Sequence, residues 1–384
     1  MIGRSSRRAA ATIPSDFTLR SLYKATKKNK TNEAPLTIVG VSCQRDDCPY
    51  LTELIAHHLA AGFDRILVMS HECSDGSDAL LESLSADERI GHLPFEPRGK
   101  KSVQWQALDL VRNHPWTERA DWLLFFDCDE FICLPDGNLQ GLLSEFEAEQ
   151  GHFDALALPW RFFGSSGQRT RTPGLTPVRF TRAAPEDLHF PLAHLFKTLY
   201  RPGAFQKMGV HRPRSKSKKP ATWLGPDGLP LPDYFAANDA FITLYGTPLR
   251  DRRIWLNHYS LRSIEEFIVK RARGLPNHTE REIGLTYWAE RNWNSVETTD
   301  ILHMMDATQI EFERLMSLPD VSMRQAQCNA WHEQRAVALM KDRETLHLHF
   351  RLGMLSGSTP PSPAAAQDFI EAQRQMPGSE RRIR

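Results

Sequence analysis

The sequence predicts an α/β protein built on a mostly parallel sheet between helices, and two observations carry that reading. From residue 36 to residue 160, apolar β-branched runs of strand length alternate with stretches of helical periodicity, the pattern of a sheet covered on both faces. The 384-residue chain is also 41% apolar, enough to bury one enlarged domain or two lobes.

The elements follow in order. LTIVGVSC (36–43) is an uninterrupted apolar run and the first strand. After Pro49, residues Leu51, Leu54, Ile55 and Leu59 keep helical spacing, and Gly62 stands where a helix C-terminus wants it. RILVMS (65–70) is a second strand, and SDGSDALLESL (74–84) a turn and a helix start, with Asp75 and Ser77 placed to cap exposed amides. VQWQALDLVRNH (103–114) reads as an amphipathic helix, DWLLFFD (121–127) as a buried strand, NLQGLLSEFEAE (138–149) as a helix and FDALALPW (153–160) as a strand. Between about 164 and 255 the alternation gives way to Gly, Pro and basic residues, a length that predicts substrate-binding loops. RSIEEFIVKRARG (262–274) restores a helix, with Ser263 as N-cap, acids in its first turn, bases in its last and Gly274 as stop. Helical periodicity over 305–345 then leads into SGSTPPSPAAAQ (356–367), a linker composition.

Charge is balanced, 48 Lys plus Arg against 47 Asp plus Glu, so no overall field draws the chain to nucleic acid, and no basic face with interleaved aromatics is evident. Six cysteines at 43, 48, 73, 128, 133 and 328 form no CxxC pair, which favours reduced thiols in a cytosolic compartment. Cys128 and Cys133 read as small core residues. No run reaches the roughly 18 apolar residues of a membrane span, and MIGRSSRRAAATIP lacks the apolar stretch of a secretory signal. A cytoplasmic protein with a basic, disordered N-terminal tail (1–34) is expected.

The chemistry concentrates in LLFFDCDEFICL (123–134). On an extended strand Asp127 and Asp129 point to one side, Phe126 and Cys128 to the other. Two carboxylates sharing one space raise each other's pKa unless a cation sits between them, and Mg²⁺ or Mn²⁺, which take hard oxygen ligands, answers that need. WRFFGSSG (160–167) sets Trp160 and Phe163 before a Gly-Ser loop with Ser165 and Ser166, an arrangement suited to stacking on a sugar ring and hydrogen-bonding its edge. Asp187 and Asp227 are available carboxylates for a general base, neither singled out by spacing. Lys216, Lys218 and Lys219 read as a solvated loop; the His57-His58 pair, His347 and His349 read as solvated surface.

DWLLFFDCDEF (121–131) resembles the D-x-D-E-F signature of family 2 glycosyltransferases, in the bacterial branch that is also similar to family 92 transferases. CQRDDCPYLTELIAHHLAAGFDRILV, SDGSDALL, WRFFGSSGQRTR, FKTLYRPGAF, GVHRP and LNHYSLRSIEEFIVKRARG agree in the same order, across residues 36–275. The resemblance implies a GT-A type (Rossmann-like) fold that holds a UDP- or GDP-sugar at the strand ends, with Mn²⁺ or Mg²⁺ bridging the diphosphate to the D-x-D. It implies Asp129 as metal ligand, Asp127 toward the ribose or a metal-bound water, and His211 or His258 as a further ligand. Asp75 matches a nucleoside-contacting position, and Lys197, Arg201 and Arg212 match positions able to clamp the diphosphate. Asp46 and Asp47 stand where the family carries Asn-Glu, which leaves Asp47 a donor-binding candidate.

The expected organisation is thus a transferase domain over 35–275, with its nucleotide-sugar half at 35–160 and its acceptor half at 161–275. A helical extension (276–350) and a Pro/Ser-rich disordered tail (351–384) follow. The expected activity is inverting sugar transfer to a glycan or lipid-linked acceptor, with peripheral membrane association fitting such synthesis, although no amphipathic anchor is read from the sequence. One rival is a nucleotidyltransferase, against which SCQRDDCPY is acidic where a Gly-rich, Lys-bearing phosphate loop belongs. The other is a non-catalytic carbohydrate-binding protein on the same fold.

Overall fold

The computed structural model describes residues 36–215, 220–247, 251–274 and 283–375. The basic N-terminal tail, Lys216, Lys218, Lys219 and the last nine residues lie outside them.

Nine strands form the main sheet: β1 (Ile38–Gln44), β2 (Arg65–Ser70), β3 (Ile90–Pro94), β4 (Trp122–Phe125), β5 (Glu130–Cys133), β6 (Ala155–Phe162), β7 (Phe196–Tyr200), β8 (Trp223–Leu224) and β9 (Trp255–His258). Their order is β3-β2-β1-β4-β7-β6-β9-β5, with β8 beside β6. Only β7 and β5 run against the rest. The longer helices are α1 (Cys48–Ala61), α2 (Ser77–Leu84), α3 (Val103–Val111), α4 (Leu139–Gln150), α5 (Ile264–Arg273), α6 (Met305–Met316), α7 (Val321–Leu339), α8 (Arg343–Met354) and α9 (Pro363–Gln375). This is the expected fold class, a mostly parallel sheet between helices with helices at the C-terminus.

Strand alternation sorts the core into two layers. Ile38, Trp122 and Leu124 join α1, α2 and α4 on one face, while Val39, Val41, Leu123 and Phe125 join α3 on the other. Gly40 keeps β1 close to its cover, since a Cβ there would lie 2.8 Å from the Phe126 ring. Gly62 closes α1 at φ 113°, the left-handed conformation the sequence position suggests.

Four expectations are corrected. First, LLFFDCDEFICL is two strands, not one: β4 ends at Phe125, and a turn closed by Glu130 N–H on the Asp127 carbonyl (3.1 Å) precedes β5. β4 and β5 lie four places apart in the sheet, about 19 Å if it were flat. Five Cα steps reach at most about 17 Å, so the sheet curls to bring these strands together over the turn. Second, FKTLY, placed among loops, is β7, buried along its whole length in the middle of the sheet.

Third, His57 and His58 are fully buried, not solvated. His57 bonds the Ile132 carbonyl (2.8 Å) and Thr308 Oγ1 (3.1 Å), and His58 stacks on Phe126 at 3.9 Å. For His57 the cause is α6, which packs over the outer side of α1, while His58 faces the sheet among Phe63, Phe126 and Phe131. Fourth, Cys48 and Cys328 are joined in a disulfide, with Cα atoms 5.5 Å apart, while the other four cysteines are free. Cys128 and Cys133 are core residues as read.

The segment read as a disordered tail also starts inside α8 and contains α9. Pro363 opens α9, Ser362 Oγ accepts the Ala365 N–H at 3.2 Å, and Ala366 and Ile370 bury one stripe.

Candidate functional site

β1, β2, β4, β6 and β9 run in one direction, so their C-terminal ends share an edge, the edge at which ligands bind in open α/β sheets. Backbone strain collects there. Of the five non-glycine residues with positive φ among the described residues, four lie in loops leaving these strands: Asp46, Glu72, Ser166 and Arg262. Each such residue costs about 1–3 kcal/mol, and such strain clusters at functional sites.

The Asp127–Asp129 turn is fastened from several directions. Ser42 Oγ donates to the Phe126 carbonyl (2.6 Å), an Arg262 nitrogen to the Cys128 carbonyl (3.1 Å) and Tyr259 N–H to the Asp129 carbonyl (2.8 Å). Asp127 N–H donates to Glu130 Oε2 at 2.9 Å. The two carboxylates do not share one space; each has its own lysine. Lys197 Nζ lies 2.8 Å from Asp127 Oδ2, with Gln104 Nε2 at 2.8 Å from Oδ1. Lys270 Nζ lies 2.7 Å from Asp129 Oδ2, and His258 Nε2 lies 3.4 Å from Oδ1.

These pairings set the charges. Burial alone would raise the Asp129 pKa, but Lys270 and His258 outweigh it and hold the carboxyl well below its usual range. Lys197 and Lys270 are both buried, yet Asp127 with Glu130, and Asp129 respectively, keep their pKa values above normal. Glu130 goes the other way, pushed up to about 8 by burial that Lys197 only partly offsets. Burial also lowers His211 to about 4 and brings His258 below its ordinary value, so both imidazoles are neutral at pH 7.

Among the residues expected at a site, Asp127, Asp129, Lys197, His211, His258 and Trp160 come together. The Trp160 ring lies 4.4 Å from His258 and 5.3 Å from His211, and its buried Nε1 has no hydrogen-bond partner among the described residues. Asp47 sits beside them, paired with Arg273, whose guanidinium also donates to the Arg45 carbonyl at 2.7 Å. Asp75 spends both oxygens on protein donors, Cys48 N–H at 2.8 Å and Ser77 N–H at 2.9 Å, and so ties the start of α1 to that of α2.

Other expectations are not met. Phe163 is core, 4.5 Å from Tyr259, and Ser165 and Ser166 fasten their loop by N–H bonds to Asn292 (2.8 Å) and Asn294 (3.0 Å). Arg212 is not a clamp: it is held over Trp223 at 4.3 Å and donates to the Phe235 carbonyl at 2.6 Å. Arg201 pairs with Glu147 at 2.6 Å and covers Trp122, the first residue of β4, at the far end of the sheet. Asp227 is at that far end too, in the turn whose Pro226 carbonyl accepts Arg253 N–H ahead of β9. Asp187 is exposed in the loop before β7.

Sequence reading missed Lys270, Gln104 and the structural roles of Arg262 and Arg273. Lys270 carried a signal: it continues the buried stripe of Ile264, Phe267 and Ile268 on α5, and a lysine on such a stripe needs a buried acid. Next to Asp47, a cavity of about 460 Å³ opens between Asp46, Ser74, Arg273 and Trp331 of α7.

No protein-family model and no curated protein matches the sequence. Among solved structures, the chain is similar to residues 1–349 of S. aureus TarS, at 12% identity and a TM-score of 0.32, over 80% of this chain and 90% of that one. It is also similar to HddC from Yersinia pseudotuberculosis, at 9% identity and a TM-score of 0.27, over 49% of this chain and 88% of that one.

Proposed function

We propose that this chain transfers a sugar from a UDP- or GDP-linked donor to a hydroxyl of a glycan or lipid-linked acceptor, with inversion at the anomeric carbon. The observation that carries the reading is the convergence of Asp127, Asp129, His258, Lys197 and Trp160 at the C-terminal ends of the parallel strands. Breaking a sugar-phosphate bond builds negative charge on the departing diphosphate, so a site for it needs fixed positive charge at the strand ends. Lys197 holds one such charge beside the turn, where it is paired with Asp127.

The reading includes a divalent cation beside it. Asp129 Oδ1 and His258 Nε2 are 3.4 Å apart, the spacing of neighbouring ligands on one ion, and the neutral imidazole with a hard oxygen suits Mn²⁺ better than Mg²⁺. When bound, the ion would supply Lewis-acid stabilisation of the leaving diphosphate. Trp160, with its unpartnered Nε1, offers a stacking face and a donor to the sugar. Asp187 is the sequence candidate for the base that stays on the site's half of the molecule.

Calorimetric titration with UDP and with GDP, each with Mn²⁺ and with EDTA, tests this on the parent and on Asp127→Asn and Asp129→Asn. Binding that requires Mn²⁺ and falls at least tenfold in both variants supports the reading and identifies the base. Metal-independent binding, or none by folded parent protein, sinks it in favour of a non-catalytic role for the fold.

A further inference from the structure

α8 buries Thr345 and Leu352, seven residues apart, the latter in a cluster with Phe267 of α5 and Tyr287. The opposite arc of the same helix faces outward and is apolar. Leu346, Phe350 and Met354, spaced by four, are 49%, 63% and 63% exposed, and Leu355 extends the stripe at 42%. Scattered apolar residues on a surface need no account, but three large ones in register on one helix do.

Two arginines border the stripe. Arg343 and Arg351, eight residues apart, run alongside it and are exposed. The helix has one carboxylate, Glu344, in its first turn, and the preceding Asp342 is occupied in capping the Thr345 N–H at 2.8 Å. Grooves of about 620 Å³ and 490 Å³ flank the helix, the first with Arg169 beside Leu346 and Phe350, the second with Arg271 beside Arg351.

We propose that the outward arc of α8 docks on an anionic bilayer: Leu346, Phe350 and Met354 enter the headgroup boundary while Arg343 and Arg351 contact lipid phosphates. A convex helix arc with apolar residues at its crest and cations at its margin is the form of an in-plane interfacial helix, and the charge complements anionic headgroups. α8 packs against α5, the helix that carries Lys270 to Asp129, so docking would set the candidate site one helix layer from the membrane. The inference stands apart from the proposed sugar transfer, because lipid binding is read without activity.

The test is co-sedimentation of the full chain with vesicles of phosphatidylcholine, with and without phosphatidylglycerol. Variants are Leu346→Ser with Phe350→Ser, and Arg343→Ala with Arg351→Ala; all four positions are exposed, so the variants should unfold at the parent's denaturant midpoint. Binding to anionic vesicles only is expected, weakened at least roughly tenfold by the apolar pair and roughly fivefold per arginine by the basic pair, with loss of salt dependence. No binding to anionic vesicles, or binding untouched by the apolar pair, overturns the proposal. Self-association of the parent that the apolar pair abolishes also overturns it and assigns the face to a second copy of the chain.

Discussion

Asp129 and Glu130 are adjacent carboxylates at the same strand start, and their surroundings give them opposite states. Asp129 has Lys270 at 2.7 Å and stays ionised. Glu130 has Lys197 only at 3.6 Å, no partner for Oε1 among the described residues, and a pKa raised to about 8 by burial. At pH 7 Glu130 is therefore mostly a neutral acid, which Gln imitates: one oxygen accepts from Asp127 N–H, and the other atom is a donor. Glu130→Gln should change unfolding free energy at pH 7 by less than about 1 kcal/mol, whereas Asp129→Asn, which leaves Lys270 buried and unpaired, should cost about 3 kcal/mol or more. Urea unfolding of both variants decides the matter; equal costs would show that Glu130 is charged in the folded protein. The residue types were legible in the sequence, but their pairing was not, because Lys197 and Lys270 come from elements 70 and 141 residues from their partners.

At the scale of elements, the sequence was most readable where the buried residues are apolar and least readable where polar residues are covered by a distant part of the chain. α5 was marked at both ends, and its N-cap is present as read, Ser263 accepting from Glu266 N–H at 3.3 Å. α1 carries His57 and Thr52 on positions that look solvated until α6 and α7 are placed over them. β7 hid behind Lys197, a charge in mid-strand that reads as a loop residue unless its buried acid is known. The buried histidines of α1 make the helix sensitive to acid. His58 is lowered from 6.5 to about 3 by burial, so below pH 6.5 the unfolded chain binds a proton that the folded one refuses. Stability then falls as pH falls, by up to about 1.4 kcal/mol per pH unit from this residue. His58→Leu removes that loss: between pH 6.5 and pH 5 the stability difference should move toward the variant by about 2 kcal/mol in chemical denaturation. A difference independent of pH would mean that His58 is protonated in the folded state.

For the whole molecule, the C-terminal helices belong to the architecture of the site and not to an appendage. Gln325 of α7 accepts from Thr52 of α1 at 2.6 Å, and Thr308 of α6 meets His57 at 3.1 Å. The disulfide from Cys48 to Cys328 then pins α7 to the first residue of α1, one position after Asp47. No local spacing could reveal a bridge that spans 280 residues, which is why cysteine counting alone suggested six free thiols. A bridge of that span limits the unfolded chain more than a short one and, on the chain-entropy model, contributes roughly 5 kcal/mol. Alkylation in denaturant should therefore label four cysteines without reductant and six after reduction. The reduced protein should also unfold at lower urea, and Cys48→Ala with Cys328→Ala should show no further response to reductant. Six labelled thiols in the untreated protein would refute the bridge, leaving the hydrogen bonds and packing of α6 and α7 as what holds these helices against the strand ends.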